Sequence, residues 1–242
     1  VTQSGSKPTD IFLELDCGMG RTGIKPGTEA LFLACVLKDT PRLQFVGLHA
    51  YDGHIHDSDL SVRKARCEES FAPVLAFKAE LQSNGFVVRE LVAGGSPTFP
   101  IHAKHADRIC SPGTTVLWDF GYGDRLADLP FQQAAVVLAR VISKPGINRL
   151  TLDLGHKSVA AENPHPRIRF EELPDAKAVM QSEEHLVLET EHAHAFTIGQ
   201  ALHGIPLHVC PTVALHGEAV VISNYAESSR WPILARNRKI TV

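Results

Sequence analysis

Apolar runs and amphipathic stretches alternate through the first half of the chain. Ile11–Gly18 (IFLELDCG) is apolar enough for a buried strand, and Gly27–Asp39 (GTEALFLACVLKD) has the spacing of an amphipathic helix. Leu43–Gly53 (LQFVGLHAYDG) predicts a second strand. Between Ser61 and Ser83, Val62, Ala65, Phe71, Val74, Leu75 and Leu81 recur at helical spacing, and Asn84-Gly85 supplies the stop. Phe86–Gly95 (FVVRELVAGG) predicts a third strand, so the series reads βαβαβ and calls for a parallel sheet. Beyond about Leu129 the helical spacing fades. Runs rich in β-branched residues follow (AAVVLARVIS, NRLTLDLG, EHLVLETE, GIPLHVC, EAVVIS), which predict an all-β half. The expected division is a βα part over 1–125 and a β domain over 126–242, with GDRLADLP (Gly123–Pro130) the only linker-like stretch. An eight-stranded βα barrel takes about 250 residues. Some four βα units fit before Leu129, so the expectation is either an open sheet or a barrel whose N-terminal part precedes Val1.

Composition narrows the class. The chain has 242 residues, 44% of them hydrophobic and 21% charged, as in a globular protein with material for one or two cores. No long uncharged apolar run calls for a membrane, and a net charge of -3 gives no reason to expect nucleic acid. Five cysteines, an odd number without a spaced framework, fit reduced thiols and a cytoplasmic setting. Thirteen histidines raise the expectation that some serve as ligands or proton carriers.

In a parallel sheet chemistry collects beyond the strand carboxyl ends, and three stretches fall there. DCGMGRTG sets Gly18, Gly20 and Gly23 around Arg21, a permanent cation able to hold a carboxylate or phenolate oxygen, or simply a surface residue in a tight turn. AYDGHIHD brings Tyr51, Asp52, His54, His56 and Asp57 to one end of the sheet, as acid–base candidates or as a solvated loop. AGGSPTFP offers Gly94 and Gly95 N–H groups with the Ser96 and Thr98 hydroxyls, a composition suited to a phosphate and equally to an ordinary loop.

HVCPTVALHG sets His208 and Cys210 two positions apart. On an extended strand ended by Pro211 the two share a face, and imidazole with thiolate suits zinc. With no CxxC in the chain, the remaining positions would go to water, substrate or distant side chains, as at a catalytic metal. A buried cysteine beside a satisfied histidine is the other possibility.

LELDCGMGRTGI, GLHAYDGHIH, VAGGSPTFP, CSPGTTVLWDFGY, ARVISKP, LDLGHK, EEHLVLE and HVCPTV occur in the order and spacing of one family. From Ile11 to about Ile240 the chain resembles the D-threonine aldolase and D-serine dehydratase-like proteins, fold-type III pyridoxal phosphate enzymes related to alanine racemase. The resemblance implies an α/β fold: the C-terminal portion of a (βα)8 TIM-like barrel followed by a mainly antiparallel β domain. It implies pyridoxal 5'-phosphate and Zn2+ (or Mn2+) as cofactors, with His208 and Cys210 as metal ligands. It assigns cofactor binding to Arg21, Tyr51, Gly94, Gly95, Ser96 and Thr98, and catalysis to Arg21, Tyr51, His54, His56 and His185. Glu184 and His185 of the EEH motif are expected to orient metal ligands.

By the same resemblance the complete protein is a lyase for β-hydroxy-D-amino acids, a homodimer with a small-molecule D-amino acid as its partner. The metal holds the substrate hydroxyl, and either Cα–Cβ breaks or water is lost. Cysteine in HxC leans toward dehydration, and GLHAYDGHIH toward the aldolases. The family's cofactor-linking lysine lies on a first barrel strand with no counterpart here, and Lys157 of LDLGHK reads as a polar or substrate-side contact. The alternative is therefore a non-catalytic metal- or cofactor-binding fragment.

Overall fold

The computed structural model describes residues 7–239 and divides into two compact units, Val1–Thr115 and Val116–Val242. The first is the expected βα series. Strands β1 (Thr9–Leu15), β2 (Leu43–Ala50), β3 (Glu90–Ala93) and β4 (Ile109–Cys110) form a parallel sheet in that order. Helix α1 (Thr28–Asp39) follows β1, and α2 (Leu60–Ser83) follows β2. Asp59 caps α2 by accepting the Val62 N–H at 2.9 Å, and the helix buries Arg63, Cys67, Phe71, Val74, Phe77 and Leu81 along one face. Phe71, Val74, Phe77 and Leu81 pack with Leu13, Leu15, Leu48 and Leu91 of the strands into one core. A short helix α3 (Phe99–His102) links β3 to β4. The strand register fixes everything that follows. Leu15 pairs with Ala50, Ala50 with Ala93, and Ala93 with Cys110, so the carboxyl ends lie in one row and their loops emerge side by side.

In the second unit α4 (Phe120–Arg125) precedes a six-stranded sheet with antiparallel pairing. It is built from β5 (Val137–Gly146), β6 (Arg149–Leu152), β7 (Ile168–Phe170), β8 (Lys177–Gln181), β9 (Leu186–Glu189) and β10 (Ala201–Pro206), in the order β7-β10-β5-β6-β9-β8. Helix α5 (Val209–Val213) and a hairpin of β11 (Glu218–Ser223) and β12 (Ala226–Pro232) follow. The stretch Gly123–Pro130 is structured rather than a linker. Its polar letters punctuate, but Leu126 and Leu129 are buried against Trp118.

One expectation is overturned. His208 and Cys210 do not lie on a strand: β10 stops at Pro206, His208 is the N-cap of α5, and Cys210 lies in its first turn. Pro211, read as a strand end, sits in that same first turn, where a missing N–H leaves no intrahelical bond unmade.

Candidate functional site

The loop after β1 folds back on its own strand. Asp16 Oδ1 accepts the N–H groups of Gly18 and Gly20, each at 3.0 Å, which holds the carboxyl below its ordinary range. Gly23 has φ 87°, and a Cβ there would meet the Asp16 and Leu15 backbone at 2.9 Å, so the turn needs glycine. Burial pushes the Cys17 thiol up to about 11, with the Asp52 charge adding to it; the neutral thiol donates to the Tyr51 carbonyl at 3.4 Å and ties the first two loops together.

Across that tie, the Arg21 guanidinium lies 4.8 Å from the Tyr51 ring centroid. A Cβ on Gly53 would approach the ring to 2.3 Å and one on Gly95 to 3.0 Å, so the two bare glycines make room for Tyr51. The structure thus gathers Arg21, Tyr51 and Gly95 in one place. His54 lies beside Gly18 with its Nδ1 buried and without a partner, whereas His56 is exposed.

The glycine loop after β3 does not offer the donors that its composition promised. Gly94 donates to the Ala50 carbonyl at 3.0 Å, and Gly95 donates to Asp52 Oδ1 at 2.9 Å. The Thr98 hydroxyl also donates to Asp52 Oδ1, at 2.7 Å. An expectation of two glycine N–H groups facing an anion is therefore corrected, because the register sets Asp52 beside Gly95, each two residues past the paired Ala50 and Ala93. Ser96 is the remaining polar side chain of the loop. It is buried, and its hydroxyl accepts the Thr114 N–H at 3.2 Å.

Asp52, Cys67 and His102 form a buried cluster whose ligand atoms all lie within 4.8 Å of one another, the only such group of three among the described residues. Its hydrogen bonds work against an ion there. Arg108 can only donate, and its guanidinium lies 2.8 Å from His102 Nδ1, so Nδ1 accepts and the ring proton sits on Nε2, 2.8 Å from Asp52 Oδ2. Binding a cation at Nε2 would drive that proton to Nδ1, against the Arg108 N–H. Burial first, then the Asp52 charge, pushes Cys67 up to about 12, so it too stays protonated.

In the second unit the chemistry sits at the start of α5. The His208 Nδ1 lies 2.6 Å from Glu162 Oε1, and the ring also bonds the Cys210 side chain. Cys210, then Glu162 against the opposing effect of burial, pushes His208 up to about 9. Glu162, His208 and Cys210 do not form a second group of three within 4.8 Å. The Thr212 hydroxyl donates to the His208 carbonyl at 2.8 Å and accepts the Ala160 N–H at 3.2 Å, which ties the helix to the loop that carries Glu162.

From the other side Asp119, 2% exposed, accepts the Tyr122 N–H and the Val209 N–H, each at 2.9 Å, and so caps α4 and pins the first residue of α5. Gly121 donates to the Leu207 carbonyl at 3.2 Å, where a Cβ would approach that oxygen to 2.4 Å. Glu184 pairs with Lys157 at 2.9 Å, and exposed His185 lines a groove of about 400 Å³ with Arg149, Thr151 and Met180.

Sequence reasoning missed Glu162, Asp119, His102 and Arg108 as parts of these sites. Only Asp119 lies in one of the family-like stretches, CSPGTTVLWDFGY.

Comparison with known proteins agrees with this architecture. Residues 1–118 match the family described as "Alanine racemase, N-terminal domain", and residues 134–222 the "Putative serine dehydratase domain". The chain is 31% identical over 241 residues to a D-threonine aldolase of Arthrobacter sp, covering 98% of this chain and 63% of that protein. It is 25% identical to a 3-hydroxy-D-aspartate aldolase of Paracoccus denitrificans (strain Pd 1222), covering 94% and 60%. The crystal structure of D-threonine aldolase from Filomicrobium marinum superposes with a TM-score of 0.84 at 26% identity, over 95% of this chain and 64% of that one. The chain thus spans a little under two thirds of the length of the proteins it matches.

Proposed function

The chain belongs to the fold-type III pyridoxal phosphate family of D-threonine aldolases and D-serine dehydratase-like proteins, and on that premise we propose that the whole protein is a lyase for β-hydroxy-D-amino acids. The observation that carries this reading is the contact of His208 with Cys210, backed by Glu162: a nitrogen and a sulfur donor side by side suit zinc, and a carboxylate bonded to the His208 Nδ1 suits an oriented ring. The first unit fits pyridoxal phosphate, because His54 Nδ1 is buried without a partner and the bare Gly95 leaves room for the Tyr51 ring.

Pyridoxal phosphate supplies an electron sink for a bond broken at the substrate α-carbon, and a divalent metal supplies a Lewis acid for the β-hydroxyl. Arg21, Tyr51 and Ser96 would hold the cofactor, with Arg21 and Tyr51 stacked at the strand ends, while Gly94, Gly95 and Thr98, whose donors go to Ala50 and Asp52, would shape the loop around it. His208 and Cys210 hold the metal. His54 moves a proton at Nδ1, an atom that no other group in the described chain engages. His56 and His185, both exposed, are left to substrate-side contacts. Zinc, a homodimer and a cytoplasmic setting belong to the same proposal, the last supported by five free cysteines. No described helix is long and apolar enough to cross a membrane.

The test is turnover of D-threonine, 3-hydroxy-D-aspartate and D-serine by the whole protein loaded with pyridoxal phosphate and zinc or manganese. Cleavage yields glycine and an aldehyde, and dehydration yields ammonia and a 2-oxo acid. Turnover that a chelator abolishes supports the lyase, while binding of both groups without turnover selects a non-catalytic module. Lys157 is expected to stay unlabelled when the mixture is treated with borohydride. Glu184 and then Glu183 raise its pKa and keep it protonated, and a lysine must be neutral to attack an aldehyde. Stoichiometric label at Lys157 by mass spectrometry would overturn that expectation.

A further inference from the structure

Beneath the glycine loop lies a chain of polar side chains that the proposed reaction does not use. Asp52 is 1% exposed and His102 is fully buried. The carboxylate accepts from Gly95 N–H, the Thr98 hydroxyl and His102 Nε2; burial opposes its ionisation, but these bonds hold its pKa below the ordinary range. His102 in turn accepts from Arg108, whose guanidinium lies 4.7 Å from the Phe71 ring centroid, and Phe71 packs against His102. A buried anion directly under a loop that is to receive a phosphate is a liability, since like charges repel strongly where water is excluded. The only cation in this hydrogen-bonded chain is Arg108, and the neutral imidazole carries its effect to the carboxylate.

We propose that Arg108, His102 and Asp52 form a buried relay that positions the Gly94–Thr98 loop and balances the Asp52 charge, so that the loop accepts a phosphate monoester. The inference rests on the cofactor reading above. Arg108 and His102 act through Asp52 and are positioning residues.

The tautomer makes the relay testable by substitution in pairs. Arg108→Met keeps the packing on Phe71 but leaves the Asp52 charge unbalanced. Asp52→Asn removes the charge but turns an amide N–H toward the Nε2 proton, and the ring cannot shift that proton to Nδ1 while Arg108 donates there. In Asp52→Asn with Arg108→Met the ring shifts freely: Nε2 accepts from the amide, and the Nδ1 proton faces a thioether, a weak acceptor. The double variant is therefore expected to bind better than either single one.

Affinities of the full chain for pyridoxal phosphate and for pyridoxal, which lacks the phosphate, are the measurement. Arg108→Met should weaken pyridoxal phosphate by about tenfold or more and leave pyridoxal nearly unchanged. Arg108→Lys, which keeps both charge and donor, should stay within about threefold of the parent. The double variant should recover most of the loss. Arg108→Met binding like the parent, equal losses for both ligands, or additive losses in the double variant would overturn the relay. A parent chain with no preference for the phosphorylated ligand would overturn the cofactor reading itself, and the relay's anion role with it. Nitrogen NMR of His102 checks the geometry in the unsubstituted chain: a proton on Nε2 is expected, and one on Nδ1 overturns the proposal whichever variants fold.

Discussion

Cys210→Ala is expected to lower the zinc affinity of the chain by about a hundredfold or more, because binding free energies of roughly 10–16 kcal/mol over four ligands give about 3 kcal/mol for each. Folding should be untouched, since Cys210 is exposed and fills no core. Cys210→Asp should bind again, now with manganese gaining on zinc, because a carboxylate is a harder donor than a thiolate. Competition against a chromophoric chelator measures both, with unfolding midpoints as the control. A Cys210→Ala chain that holds zinc as tightly as the parent would reduce the pair to a surface cysteine beside an ion-paired histidine, and the proposed function would lose its main support.

The parallel βα series was legible because strands and helices of that half carry strong periodicity, and because Asn84-Gly85 marks the end of the long helix. The antiparallel half was legible from its β-branched runs. What escaped was whatever depends on register. Gly94 and Gly95 look like anion donors in one dimension, but pairing Ala50 with Ala93 brings Asp52 to Gly95, and the donors are spent there. His102 and Arg108 gave no signal of their own, since Asp52 lies fifty positions from His102 along the chain. The HVCPTV stretch failed differently. Its alternation of apolar and polar letters fits a strand as well as a helix start, and the deciding partner, Asp119, is ninety residues away. Tertiary contacts chose the helix and still left His208 against Cys210, so the chemistry survived a wrong local geometry.

That dependence on Asp119 gives the second large effect. Its two oxygens hold the Tyr122 and Val209 N–H groups, one at the start of α4 and the other at the start of α5, and the side chain is buried. Asp119→Ala strips a helix cap worth about 1 kcal/mol and leaves a buried N–H unpaired at a further cost of about 1–3 kcal/mol. A total loss of about 3 kcal/mol is expected in urea unfolding. Asp119→Asn should fall between alanine and the parent, since its carbonyl keeps one bond while its amide meets the other N–H donor to donor. The same substitutions should weaken zinc binding although neither touches the metal, because the Val209 N–H is the anchor between His208 and Cys210. The two readouts separate the roles: lost stability with unchanged zinc affinity makes Asp119 a cap alone, and lost affinity in the folded Asn variant makes it the residue that aims the pair. A chain carrying Asp119→Ala that unfolds at the parent's urea concentration would show that the α4–α5 joint is held by packing at Gly121 and Leu207 instead.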